Sequence, residues 1–198
     1  MMIQKSMKWK NKMIKLTTTA LATLLLSATL FANEVPQNII DTGDKVSKEL
    51  LKKLGSSLKH ELKTNGLMAA ANFCTEKAYT LTQDVNLHQV KGVSVKRISS
   101  KERNPNNTPS PSELKMLASM QKLLDEKKLP AYLVEKEGNS YKYYKPLVIK
   151  KEVCLKCHGN ISKNKELSEY MSKTYPQDKA IGYKMNDLRG AIVVEIKQ

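Results

Sequence analysis

Residues 154–158 read Cys154-Leu155-Lys156-Cys157-His158: two thiols three positions apart, with an imidazole directly after the second. On a helix this spacing sets the sulfurs about one turn apart. It is the CxxCH attachment sequence of a c-type haem, in which the thiols form thioethers with the porphyrin vinyl groups and the histidine serves as proximal iron ligand. Two other chemistries compete for the same residues. A structural zinc site needs four ligands, usually two such pairs, and the chain contains one pair. A thioredoxin-like dithiol needs its CxxC to open a helix after a strand in a βαβ pattern, and the residues after Cys157 show none. The motif therefore points to one covalent haem c on Cys154 and Cys157, with His158 on the iron.

A second axial ligand would decide what such a centre can do. The candidates are Cys74, His60, His88 and the methionines Met68, Met116, Met120, Met171 and Met185. Methionine is the usual partner in electron-carrying cytochromes c, yet no single Met stands out. Met116 and Met120 sit on an apolar helix face and read as core. His60, flanked by Lys59 and Glu61, reads as solvated, and His88 lies in a polar loop. Cys74 is an odd thiol among Ala69, Ala70, Ala71, Phe73 and Ala78, neighbours small and flat enough to pack against a ring. Three uses fit it: an iron ligand, a buried inert thiol, or half of an intermolecular disulfide.

The N-terminus agrees with the motif about compartment. Lys5, Lys8, Lys10, Lys12 and Lys15 precede an apolar stretch from Leu16 to Phe31. Ala32 follows as a small residue at a cleavage point, although Leu30 at the −3 position is not ideal. This is the order of a cleaved secretory signal, residues 1–32. The stretch is short for a bilayer span of about 20 residues, so no stable transmembrane anchor is expected. The remainder, 33–198, is long enough for one domain with its own core. Haem c is attached outside the cytoplasmic membrane, so the expected location is the periplasm, which excludes nucleic acid as a partner. The chain carries 34 basic and 19 acidic residues. That excess either steers an acidic redox or signalling partner or reflects solvated lysine-rich helix faces. Oligomeric state is not readable.

The elements that must position these residues follow from pattern. Val46, Leu50, Leu54, Leu58 and Leu62 predict an amphipathic helix over 43–64. Gly66 interrupts it, and 67–82, rich in Ala, continues as a second helical stretch or as the same helix bent. Residues 93–98 alternate as a strand. Ser110-Pro111-Ser112-Glu113 is a capping box with Pro at the first helical position; its helix has Leu114, Leu117, Leu124, Met116, Met120 and Leu123 on its apolar face and ends at Pro130. Residues 131–135 and 141–149 flank Gly138-Asn139 as a hairpin, and 190–196 form a last strand. Helices preceding a mostly antiparallel sheet predict α+β.

Taken together, several motifs resemble a known family. Asn72-Phe73-Cys74-Thr75-Glu76-Lys77-Ala78 comes first, then Val95-Lys96-Arg97-Ile98-Ser99 leading into Arg103-Asn104-Pro105-Asn106-Asn107. The CxxCH follows, then Tyr175-Pro176-Gln177-Asp178-Lys179-Ala180-Ile181-Gly182-Tyr183, and finally Leu188-Arg189-Gly190-Ala191. From about Leu50 onward the chain is similar to the domain of unknown function found in single-haem, PAS-like periplasmic proteins and sensor-kinase ectodomains. The resemblance implies a PAS-like central antiparallel sheet flanked by helices, with a long N-terminal helical region. It also implies His158 and Cys74 as the axial pair. Arg97 and Arg103 match basic positions flanking the family's loop and suit haem propionates through a bidentate fork. Alternatively, Arg103 and Asn104 hold loop backbone. Asp178 and Tyr183 also match, without a readable role.

The resulting expectation is a periplasmic mono-haem c protein that senses redox state or a diatomic ligand and passes the signal to a partner. An electron carrier is the alternative. A haem peroxidase fits less well, because it needs an open distal site with an acid–base group. No catalytic residue is assigned, and an enzyme is not expected.

Overall fold

The computed structural model describes residues 35–198; the expected signal segment, residues 1–32, lies outside the described residues. The architecture is α+β, with a long N-terminal helix and a four-stranded antiparallel sheet flanked by helices. The helices are α1 (Gln37–Thr64), α2 (Gly66–Asn72), α3 (Ala78–Leu87), α4 (Pro111–Asp125), α5 (Glu152–His158) and α6 (Lys165–Thr174). The strands are β1 (Val93–Ile98), β2 (Leu133–Glu137), β3 (Ser140–Val148) and β4 (Leu188–Lys197), in sheet order β1-β4-β3-β2. Among the described residues, no helix is long and apolar enough to cross a membrane.

The last strand lies in the middle of the sheet and is apolar on both faces. Ile192, Val194 and Ile196 pack with Val95, Tyr141, Tyr143, Val46 and Leu50 of α1 and Val85 of α3. Ala191 and Val193 point the other way, onto Ile98, Tyr144 and Leu117 and Met120 of α4. The alternation follows from the two-residue period of a strand. Two glycines permit close approaches. A Cβ on Gly43 would strike the Tyr143 ring, so its absence seats α1 against the sheet. Gly190, at φ +152, lies against the Ile98 carbonyl, where any side chain would collide.

Several boundaries differ from the sequence expectation. α1 begins at Gln37, not 43, and buries Ile39; Gly43 hides the continuation of the stripe because it is small for a packing reason. The capping box at Ser110 and Glu113 is present. α4 stops at Asp125, well before Pro130. Lys127 takes a left-handed φ of +58 there, and the N–H groups of Lys127 and Lys128 return to the Leu124 and Leu123 carbonyls. Leu114 is half exposed rather than on the packed face. The hairpin strands are offset from the expected ranges around the same Gly138-Asn139 turn. α6 was not anticipated.

Candidate haem site

The motif residues gather at the end of the sheet where β1 and β3 finish and β4 begins. α5 carries Cys154, Cys157 and His158, so the two thiols lie one helical turn apart. They face different surroundings. Cys154 packs with Ile149, Ala180 and Tyr183, and Cys157 packs with Ala71 of α2 and Leu167 and Met171 of α6. All three cysteines are free thiols.

His158 is held in one orientation. Its Nδ1 lies 2.9 Å from the Ala180 carbonyl, so Nδ1 carries the proton and Nε2 keeps the ring's available lone pair. Burial above all, with help from Arg189 and Arg103, pushes its pKa down to about 3. The imidazole is therefore neutral at physiological pH, the form that coordinates metals. The end of α5 is strapped down by the chain strip from Asp178 to Tyr183. Gly182 N–H donates to the Gly159 carbonyl at 3.0 Å, and Tyr183 N–H to the His158 carbonyl at 2.9 Å. The Tyr183 ring meets His158 edge-on at 6.2 Å and is capped by Lys101 and Arg189.

Cys74 sits in a π-helical turn, Phe73–Lys77, between α2 and α3. Such turns place one extra residue in the helix and are frequent at functional sites. This one is braced from outside. Thr75 Oγ1 lies 2.7 Å from the Tyr170 hydroxyl, and the Tyr175 hydroxyl donates to the Thr75 carbonyl at 3.1 Å. Asn104 in turn donates to Tyr175 at 3.3 Å. Burial, with a contribution from the nearby Cys157 thiol, pushes Cys74 up to about 11, while Arg97 and Arg103 pull it the other way. The thiol is thus neutral unless a cationic centre sits against it.

The two arginines singled out from sequence lie in this neighbourhood but differ in their commitments. Arg103 is 8% exposed; its Nε donates to Asp178 at 2.9 Å and its Nη2 to the Cys157 carbonyl at 2.7 Å. It holds backbone, though of α5 rather than of its own loop. Arg97 has a buried Nε with no hydrogen-bond partner among the described residues. Arg189, not singled out from sequence, is the third: its Nη1 donates to Ser99 Oγ at 2.6 Å. Burial pulls the pKa of Arg97 and Arg189 down. Of the three, only Arg103 has an ion pair among the described residues.

His60 and His88 are both exposed, and Met116 and Met120 pack under the sheet. Among the described residues no group of three or more His, Cys, Asp or Glu side chains is assembled that could hold a metal ion.

Comparison with known proteins adds to this geometry. The Tll0287-like family model matches residues 9–197. The chain belongs to the Tll0287-like family. The solved structure of the cyanobacterial heme-protein Tll0287 shares the fold, with a TM-score of 0.58 and 21% sequence identity, over 83% of this chain and 97% of that one. No curated protein matches. Within this Tll0287-like chain, Asp178, Ala180, Tyr170, Tyr175 and Arg189 are site residues whose roles sequence reasoning missed. Three of them lie in the quoted 175–183 motif and Arg189 in 188–191, so the signal was their company rather than their type.

Proposed function

We propose that the chain binds one haem c at this end of the sheet, which Cys154 and Cys157 would hold through thioethers and whose iron His158 and Cys74 would ligate. The observation that carries the reading is the His158 ring, neutral, half-buried and oriented by Ala180 so that Nε2 is its ligating atom, on the same helix as the two thiols. The remaining residues fit the group. Arg97 offers an orphaned buried donor, and of Arg97, Arg103 and Arg189 only Arg103 is ion-paired among the described residues, which leaves positive charge suited to propionates or a thiolate. The similar fold of a cyanobacterial heme-protein supports the same reading. A bound haem would supply a one-electron redox centre and, where an axial ligand is displaced, a coordination position for a diatomic molecule.

The physiological role proposed is periplasmic sensing of redox state or of such a molecule, within a PAS-like domain that passes its state to a partner. Electron transfer is the second reading. It is favoured by the exposed Lys150, Lys151, Lys156 and Lys184 around the attachment helix, a surface for an acidic protein. The test of the cofactor is acid–acetone extraction of protein exported through a haem-attachment pathway. Retained colour is the expected result, and haem passing into the solvent phase would refute covalent attachment. Spectra with and without CO or NO then test the gas-sensing form of the role: a gas sensor binds the added molecule, whereas a redox sensor or a carrier keeps both iron ligands.

A further inference from the structure

Four polar contacts close a ring around the end of α5. Asp178 uses its two oxygens separately: Oδ2 accepts from Arg103 Nε at 2.9 Å, and Oδ1 accepts from the Ala180 N–H at 2.8 Å. Arg103 Nη2 donates to the Cys157 carbonyl at 2.7 Å, and the Ala180 carbonyl takes the His158 Nδ1 proton at 2.9 Å. The ring therefore starts on Cys157 and ends on its neighbour His158. Both charged side chains are almost fully buried, at 8% and 9% exposure, so solvent screens the contacts little.

We infer that Asp178 is the positioning residue for His158, fixing the carbonyl that orients the ring and thereby the aim of Nε2; this rests on the reading of His158 as an iron ligand. A carboxylate suits the task because each oxygen must accept from a different donor. An asparagine has one acceptor oxygen, so either Arg103 or Ala180 loses its partner. Partners of a ligating histidine's second nitrogen fix its tautomer and raise its basicity. A loosened Ala180 carbonyl weakens His158 as a donor to the iron.

The experiment compares the wild-type holoprotein with Asp178→Asn, Arg103→Lys and Glu152→Gln. Arg103→Lys keeps the charge but loses the two-pronged fork. Glu152→Gln removes one negative charge at an exposed position on α5 outside the ring. Reduction potential and exchange of the His158 Nδ1 proton in D2O are measured on protein that has retained covalent haem. Asp178→Asn should shift the potential upward and accelerate the exchange, Arg103→Lys should do both to a smaller degree, and Glu152→Gln should leave both at wild-type values. If Asp178→Asn does not fold, the Arg103→Lys result decides. Unchanged potential and exchange in the ring variants, including the case where only their thermal stability falls, overturns the positioning role and leaves the haem reading standing. Loss of haem from the wild-type protein would instead overturn the haem reading itself.

Discussion

Strand β4 and the strip Asp178–Tyr183 follow one another in the chain and are built on opposite principles. β4 is apolar on both faces, and Ala191, Ile192, Val193 and Val194 are all buried. Burying a side chain such as Val or Ile contributes about 1.5–3 kcal/mol, and many neighbours share the load. The strip buries Ala180 and Tyr183 in a small cluster with Ile149 and otherwise holds its place through single hydrogen bonds, each worth about 1 kcal/mol net but costing about 1–3 kcal/mol when a buried partner is left unpaired. Damage to the sheet should therefore appear as lost stability. Damage to the strip or to the π turn should appear at the site, with the fold intact.

The largest test of that contrast is Tyr143→Ala. Tyr143 is fully buried under Gly43 and stacks on Tyr132 at 5.2 Å. Its truncation should cost about 3–5 kcal/mol in urea unfolding, a large share of a domain's stability. A loss under about 1 kcal/mol would show that α1 is not seated on the sheet as described.

Glu113→Gln probes the polar exception within the sheet region. Glu113 is 1% exposed, bonded to Lys96 and to the Ser110 N–H. Burial pushes its carboxyl up, but Lys96, the Ser110 N–H and Lys142 together bring it below the ordinary glutamate value of 4.5. A folded pKa below the unfolded one means that the contribution is complete above about pH 4.5 and is lost as pH falls through the depressed value. The variant should be weaker by about 1–2 kcal/mol at neutral pH, with the gap closing in acid. A gap that stays constant down to pH 3 contradicts the pairing.

Tyr175→Phe is the counterpart at the site. It removes the hydroxyl that braces the Thr75 carbonyl and receives Asn104. The stability cost should be small, about 0.5–1.5 kcal/mol, while the haem absorption changes because the Cys74 turn is released. A variant that loses stability with an unaltered spectrum would put Tyr175 in the packing group instead.

The same contrast explains what sequence reasoning could reach. The β1 alternation, the capping box at Ser110 and the β4 run are local patterns, and each is found where expected, while the CxxCH, legible as a motif, lies on a short helix. α6 escaped notice because it is short and buries only Leu167 and Met171. The end of α4 escaped because Lys127 takes the left-handed position usually given to Gly. The role of Arg103 was hidden for another reason: its acceptor is the carbonyl of Cys157, and a backbone acceptor leaves no trace in residue identity. Cys74 was legible as an odd thiol, but the π turn that presents it was not.

The central claim is that Cys74, Cys154, Cys157 and His158 form one haem centre, and the Cys74→Ser holoprotein tests it most directly. The wild-type ferric protein should be low-spin with a thiolate-type spectrum and a potential below that of a His/Met cytochrome, because thiolate donation favours Fe(III). The variant should keep its haem through acid–acetone extraction, change spin state, admit added imidazole or CO, and show a raised potential. A ferric spectrum identical to wild type would remove Cys74 from the iron and leave the sixth ligand to be found elsewhere.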